Sequence, residues 1–153
     1  MIKRNKLAEM IVDKINNSAN VLKASYEKSK DHIGFFYIDN LLPNEIAMQI
    51  YDCFPSQDQM TLKNSIRENK YIAAQMNKYH PMLEEIIYAF QDKRVVKTIE
   101  SICNLENLQP DEFLYAGGIS SMGEGQFLNP HLDNSHDKDR NKWRVLNLLY
   151  YVT

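Results

Sequence analysis

The feature that most constrains the fold is a change of residue pattern near Glu112. Before this point, apolar residues recur every three or four positions, which is typical of amphipathic helices. After it, short aromatic and β-branched runs alternate with turn residues, and four of the five glycines lie there, at positions 117, 118, 123 and 125. The sequence therefore predicts an α+β fold in which helices come first and strands follow.

Residues 1–30 form the first predicted helical segment. Its apolar residues fall on one helical stripe: Leu7, Met10, Ile11, Ile15, Ala19, Leu22 and Tyr26. Seven Lys or Arg residues against three acidic ones make this segment the basic part of the chain. A basic amphipathic helix also suits a membrane surface, but this stripe lacks Trp and Phe. We therefore expect an amphipathic helical extension that docks on the domain.

Three further helices are predicted before the pattern changes. Pro43 and Pro81 each suit a first helical turn. Apolar residues at helical spacing over residues 95–103 predict the third helix. The polar residues 56–80 are only weakly periodic, which favours a long connection or lid with a short helix at residues 71–76.

Strand-like runs are predicted on both sides of this helical part. Residues 34–38 (GFFYI) are aromatic and β-branched and predict an early strand. The later runs are residues 113–116, Ile119, residues 127–128 and residues 145–152. An unpaired last strand leaves an edge that is open to pairing, so the pattern is compatible with a homo-oligomer as well as with a monomer.

Composition excludes several classes of function. A formal net charge of -2 over 153 residues argues against a nucleic-acid binder that works through bulk basicity. No apolar run approaches the roughly 18 residues of a membrane span, so no membrane partner is predicted. Cys53 and Cys103 fall in apolar helical patterns, where a small buried thiol is the ordinary state. We therefore expect a reducing, cytoplasmic compartment.

The residues that carry chemistry lie in the segment His131, Leu132, Asp133. Side chains alternate on an extended chain, so His131 and Asp133 point to the same side and two ligands can meet one ion. An imidazole and a carboxylate, completed by a distant His, form the facial triad that suits iron(II). A helical zinc site would place its two histidines four positions apart, which this segment does not do. The alternative interpretation of the tripeptide is a hydrogen-bonded surface or turn pair.

The surrounding sequence resembles the prolyl hydroxylase-like oxygenases that depend on 2-oxoglutarate and iron(II). Residues 125–133 (GQFLNPHLD) are similar to the turn and strand that end in the family's two ligands. Residues 144–152 (RVLNLLYYV) are similar to the Arg-initiated strand that follows. Residues 36–43 (FYIDNLLP), with residues 54–55, resemble the entry strand and first helix. The resemblance is specific over residues 33–55 and 113–153 and loose between them.

The resemblance implies a double-stranded β-helix, or jelly roll, that holds iron(II) through His131, Asp133 and a third His. Its implied cofactors and co-substrates are 2-oxoglutarate, molecular oxygen and ascorbate as reductant. The carboxylate of Asp133 implies hydroxylation, since halogenating relatives lack that carboxylate. The implied reaction is hydroxylation of an unactivated C–H bond in a protein side chain, a sugar or a small metabolite.

The third ligand of the family has no counterpart here. Members place a His on a later strand, followed by an Arg or Lys that anchors 2-oxoglutarate. Of the remaining histidines, His32 and His80 are expected at the surface or at helix caps, and His136 at the rim of the substrate site. We therefore expect residues 31–153 to be the N-terminal part of an oxygenase domain, with the distal half of the barrel outside this chain.

Three further residues are implied as neighbours of 2-oxoglutarate or substrate. Asn147 and Tyr151 fall on one face of the last predicted strand, which looks into the pocket in the family. Tyr115 is a candidate for the tyrosine that touches 2-oxoglutarate, and a core position is its alternative.

Two rival functions are open at this point. One is a non-catalytic jelly-roll module for binding or assembly that retains a vestigial His-x-Asp. The other is a hydrolase that uses another divalent ion at His131 and Asp133. A hydrolase would want more carboxylates close by, and the spacing of Asp137 and Asp139 matches no known motif.

Overall fold

The computed structural model describes residues 1–115 and 117–152. Within them the chain forms five α-helices: α1 (Arg4–Asn17), α2 (Ala19–Ser29), α3 (Asn44–Asp52), α4 (Pro81–Phe90) and α5 (Lys93–Cys103). It also forms four strands: β1 (Thr61–Asn64), β2 (Glu68–Ala73), β3 (Ile119–Ser121) and β4 (Phe127–Leu128). Short 3₁₀ helices lie at Gln57–Gln59 and Met76–Lys78. The mixed α and β composition predicted from the sequence is confirmed, whereas the jelly roll stays a prediction.

The helices enclose the hydrophobic core. α1 packs against α4 and α5, and α2 packs against α5. The largest fully buried side chains come from α1, α3, α4 and α5: Leu7, Ile11, Ile50, Leu83 and Val95. The predicted docking of the N-terminal segment is confirmed. No helix in residues 1–115 and 117–152 is both long and apolar enough to cross a membrane.

The N-terminal stripe is carried by two helices, which meet at Ser18. Asn16, Asn17 and Ser18 have side chains that compete for backbone hydrogen bonds, and such residues favour helix ends over helix interiors. The apolar stripe nevertheless continues, since Leu22 of α2 is buried like Leu7 of α1. Both helices therefore contribute to one core.

Local signals explain where α4 and α5 begin and end. Nδ1 of His80 accepts a hydrogen bond from the backbone N–H of Met82 at 3.2 Å, so His80 is the N-cap of α4. Oδ1 of Asp92 accepts from the N–H of Arg94 at 2.9 Å and caps α5 in the same way. α5 ends at Asn104, whose φ of 52° is left-handed and is tolerated by asparagine. The cap role expected for His80 is confirmed.

The sheet is antiparallel and has β2 as its central strand. β1 pairs with one edge of β2, and Leu62 lies opposite Tyr71. β3 and β4 share the other edge, with Ser121 opposite Tyr71 and Phe127 opposite Asn69. The strands predicted at Ile119 and residues 127–128 are therefore confirmed as β3 and β4.

The short helix predicted at residues 71–76 is wrong. Residues 71–73 belong to β2, residues 74–75 have no regular structure, and a 3₁₀ helix begins only at Met76. Within the predicted connection, β1 and β2 form a hairpin. β1 is exposed along its whole length and most of β2 is only half-buried. Polar residues therefore occupy both faces, and the alternation that signals a strand is missing. Oγ of Ser65 stabilises the hairpin turn by accepting hydrogen bonds from the N–H groups of Arg67 and Glu68.

Three predicted strands are absent from the sheet. Residues 34–38 and 145–152 pair with no strand in the described part of the chain, and residues 113–115 lie in a turn region. The remaining residue of that predicted strand, Ala116, lies outside the described residues. A strand requires a backbone partner, and apolar alternation alone does not provide one.

In two of these segments, alternate side chains still point to the core and to solvent. Phe36 and Ile38 pack against the core, whereas Phe35 is 56% and Tyr37 71% exposed. In residues 145–152, Leu146, Tyr150 and Val152 pack against the core in the same way, whereas Leu148 on the same face is 49% exposed. The alternation in the sequence therefore records which side is buried, even where no ladder forms.

Glu100 is the one carboxylate buried among the described residues, with 7% of its surface exposed. Its Oε2 lies 2.7 Å from Nζ of Lys97, and its Oε1 accepts a hydrogen bond of 2.7 Å from the N–H of Leu108. The hydrogen bonds from Lys97 and Leu108 hold the pKa of Glu100 below its usual value of 4.5. Glu100 thereby ties the end of α5 to the segment that leads into the sheet.

We expect the Glu100→Gln variant to lose a pH-dependent part of its stability. A lowered pKa in the folded state stabilises the fold above pH 4.5, and this contribution disappears as the pH falls through the folded-state pKa. Urea unfolding should therefore show a less stable variant at about pH 7 and a smaller difference from the wild type near about pH 3. The matched control is Glu124→Gln, at an exposed position. A constant difference at every pH would contradict this role.

Candidate metal centre

The hairpin turn between β1 and β2 holds the segment that carries His131 and Asp133. The N–H of Asn129 donates to the carbonyl of Arg67 at 2.9 Å, and Nδ2 of Asn129 donates to the carbonyl of Ile66 at 2.8 Å. The guanidinium of Arg67 donates to the carbonyl of Leu132 at 3.2 Å. The region predicted to be a long connection or lid therefore supports the candidate site through these hydrogen bonds.

His131 and Asp133 face each other on one side of this segment, as the alternation predicted. Nε2 of His131 lies 3.3 Å from Oδ1 of Asp133. Leu132, between them, is 94% exposed. The side chains of His131 and Asp133 are 23% and 44% exposed, so an ion from solvent can reach both.

The ring of His131 is oriented by the backbone. Its Nδ1 lies 2.7 Å from the carbonyl oxygen of Asn129. A carbonyl oxygen only accepts hydrogen bonds, so this contact assigns the ring proton to Nδ1. In a neutral ring, Nε2 then presents a lone pair towards Asp133, which is the tautomer that a metal ligand needs, whereas a second proton on Nε2 makes the same contact an ion pair.

The second oxygen of Asp133 is held from the segment that follows. Nδ2 of Asn147 donates to Oδ2 of Asp133 at 3.1 Å. The guanidinium of Arg144 lies 3.5 Å from the same oxygen and donates to Oδ1 of Asn147 at 3.0 Å. Oδ2 is thus engaged by two side chains, and Oδ1 is left facing His131. Such partners fix the orientation of a ligating carboxylate.

A polar cavity of about 620 Å³ opens beside Asp133. It is lined by Tyr115, Asp133, residues 134–138 and Arg140. His136 forms one wall, and its ring packs on Trp143 with centroids 4.0 Å apart. Oγ of Ser135 lies 2.8 Å from Nδ1 of His136. His136 therefore lines the same cavity as Asp133, and its place at the rim of a substrate site stays a prediction.

The three residues implied as neighbours of 2-oxoglutarate or substrate lie in three different surroundings. Tyr115 lines the same cavity as Asp133. Asn147 contacts Asp133 itself through a hydrogen bond that restrains the carboxylate of this candidate ligand. Tyr151 is 77% exposed and does not line the cavity, because residues 145–152 form no strand that would turn it inward.

Two residues of the site were missed by sequence reasoning. Arg144 was read only as the start of a strand, although its charge next to an apolar run is a signal for a buried or paired partner. Arg67 carried no signal, because it lies in a polar turn far from His131 in the chain.

The described residues supply two candidate ligands. Among residues 1–115 and 117–152, no group of three His, Cys, Asp or Glu side chains is arranged to hold a metal ion. No known family model matches the chain, and neither a curated protein nor a solved structure is significantly similar to it. The function is therefore inferred from the residues of the site.

Proposed function

We propose that this chain is part of a 2-oxoglutarate- and iron(II)-dependent dioxygenase of the prolyl hydroxylase-like family, with a jelly-roll domain and with His131 and Asp133 as two iron ligands. Its reaction is hydroxylation of an unactivated C–H bond in a protein side chain, a sugar or a small metabolite. The observation that carries this proposal is the 3.3 Å approach of Nε2 of His131 to Oδ1 of Asp133.

When the imidazole of His131 is neutral, both of these atoms are acceptors. With the ring proton on Nδ1, Nε2 has a lone pair, and an ionised carboxylate has lone pairs only. Two such atoms repel each other at 3.3 Å unless a proton or a metal ion lies between them. Two ligand atoms bound at right angles to one ion, each about 2.1 Å from it, lie roughly 3 Å apart. The observed spacing therefore suits a shared metal ion.

The two donor atoms are of the kinds that bind iron(II) in proteins. One imidazole nitrogen and one carboxylate oxygen are two of the three ligands of a facial triad. Iron(II), when bound with 2-oxoglutarate, supplies the activation of oxygen that hydroxylation of such a bond requires. The third ligand that the family uses has no counterpart among the described residues.

The residues of this chain have distinct roles in the proposal. The carbonyl of Asn129 orients His131, and Asn147 with Arg144 orients Asp133. The cavity beside Asp133 holds the substrate, and Tyr115 on its wall is placed to contact substrate or 2-oxoglutarate.

The proposal is tested first by metal binding. Mn(II) is a redox-stable substitute for iron(II), and its electron paramagnetic resonance signal reports the free and bound ion. We expect His131→Ala and Asp133→Ala to weaken Mn(II) binding about a hundredfold, since each removes one of two protein ligands. The matched control is His32→Ala, at an exposed position on another segment, which should bind Mn(II) as the wild type does.

Turnover then separates the oxygenase from its rivals. The described part of this chain supplies only two of the three ligands, so turnover is measured on the full-length protein. With iron(II) and ascorbate, that protein should convert 2-oxoglutarate to succinate, and its Asp133→Ala variant should not. Mn(II) binding without any conversion of 2-oxoglutarate would contradict the oxygenase and favour a binding module that retains the two ligands. Equal Mn(II) affinity in His131→Ala and the wild type would contradict the metal site itself.

A further inference from the structure

Charged residues of both signs line the cavity beside Asp133. Four of the residues that line it carry charge: Asp133, Asp137, Lys138 and Arg140. The two negative and two positive charges sum to zero. Which of them can bind a ligand depends on which already have partners within the protein.

The two acids are engaged. Oδ2 of Asp133 is held by Asn147 and Arg144, and Oδ1 faces His131. Oδ1 of Asp137 accepts hydrogen bonds from the N–H groups of Asn141 and Lys142, at 2.7 and 3.0 Å. The hydrogen bonds from the backbone of Lys142 and of Asn141 hold the pKa of Asp137 below its usual value.

The two cations are not engaged in this way. Within residues 1–115 and 117–152, no carboxylate lies within 4.0 Å of the charged groups of Lys138 or Arg140. Asp139, which separates them in the chain, does not line the cavity. Lys138 and Arg140 are therefore the two charged groups of the cavity lining that no carboxylate of the described residues pairs with.

The loop that carries these cations is held in shape. The N–H of Asp137 donates to the carbonyl of Lys142 at 3.1 Å, and the N–H of Arg140 donates to the carbonyl of Asp137 at 3.2 Å. An isolated antiparallel bridge between His136 and Trp143 closes the base of the loop. A ligand bound by Lys138 and Arg140 therefore has little backbone to order, which favours binding.

We propose that Lys138 and Arg140 bind an oxyanion, the phosphate or carboxylate group of the substrate, in the cavity beside Asp133. Arginine presents a planar fork that matches either group, and lysine adds a point charge. Because Asp133 lines the same cavity, an anion held by Lys138 and Arg140 shares that cavity with the candidate metal centre. The assignment of this ligand as the substrate rests on the proposed oxygenase function, whereas the oxyanion site itself rests on the cavity.

Trp143 gives a direct reporter of this site, because it is the single tryptophan of the chain and its ring packs on His136. Metal-free protein is titrated with inorganic phosphate, with acetate and with glycerol as a neutral probe. We expect a saturable change of tryptophan fluorescence with an oxyanion, weakened by added salt, and none with glycerol. The phosphate and acetate arms show which of the two groups the cavity prefers.

The variant is Lys138→Gln combined with Arg140→Asn. Arg140 has a left-handed φ of 58°, which asparagine tolerates, so the loop keeps its shape. We expect the Kd of the preferred anion to rise about tenfold, the loss typical of charged hydrogen bonds. The matched control is Lys23→Gln with Lys28→Gln, which removes the same charge from exposed positions on α2. Its Kd should equal that of the wild type.

Several outcomes overturn the proposal. One is the lack of saturable fluorescence change with both anions, and another is an equal loss of affinity in the variant and the control. For Mn(II)-loaded protein, the phosphorus resonance of bound phosphate should broaden, and in His131→Ala it should not. Binding without broadening would place the anion away from the metal and overturn its assignment to the substrate. Failure to bind Mn(II) would overturn both the proposed function and the assignment of the anion to the substrate. The oxyanion site itself would still be tested by the fluorescence titration of metal-free protein.

Discussion

Leu7→Ala is expected to lower the free energy of unfolding by about 3 kcal/mol, the cost of removing a fully buried leucine side chain and leaving a cavity. Leu7 is 0% exposed and lies in α1, which packs on both α4 and α5. The measurement is urea unfolding followed by circular dichroism. The matched control is Leu149→Ala, which removes the same atoms from a residue that is 69% exposed. Its effect should stay within about 0.5 kcal/mol.

The same experiment decides whether residues 1–30 unfold with the rest of the chain. If α1 and α2 belong to the common core, the Leu7→Ala variant unfolds in one transition at a lower urea concentration. A separate early transition, with the main transition unchanged, would contradict this and make the segment an independent extension. Contacts of Arg4 with Glu85 and of Arg94 with Asn5 support the common unit.

Asn147→Ala is expected to weaken Mn(II) binding about tenfold, since loss of a partner that orients a metal ligand typically costs 10- to 100-fold in affinity, roughly. Nδ2 of Asn147 is 3.1 Å from Oδ2 of Asp133, and Asn147 receives a hydrogen bond from Arg144 in turn. Without Asn147, the carboxylate rotates more freely. The measurement is the Mn(II) resonance titration, with thermal unfolding as a check that the fold is intact. The control is Tyr151→Ala, at a residue 77% exposed, which should bind Mn(II) normally.

This prediction separates two roles of Asn147. A positioning residue for Asp133 changes metal affinity even when no 2-oxoglutarate is present. A neighbour of 2-oxoglutarate, the role that the resemblance implies, changes the KM for 2-oxoglutarate and leaves Mn(II) affinity as it was. Unaltered Mn(II) binding in Asn147→Ala would therefore contradict the positioning role.

The helices were predictable because their signals are local. Proline at the start, a polar cap and apolar residues at helical spacing all lie within one element, as in α4 with His80 and Pro81. The break at Ser18 had a local signal as well, in the run of Asn16 and Asn17 before it. It was missed because the apolar stripe continues across it.

The strands were harder to predict because a strand depends on its partner. The hairpin of β1 and β2 was missed, since both strands carry polar residues and β1 is exposed throughout. Residues 145–152 have the stronger strand pattern, yet they join no sheet in the described part of the chain. Apolar alternation reports burial of one face, while hydrogen bonding between strands follows from the packing of distant segments.

By itself, the sequence determined the helices and the common side of His131 and Asp133, because helical spacing and the alternation of an extended chain act over a few residues. The tertiary structure alone decided what surrounds those two residues. Asn147 reaches Asp133 across 14 positions of the chain, and Arg67 reaches Leu132 across 65. Such contacts depend on how whole segments pack, and no local period of the sequence encodes them.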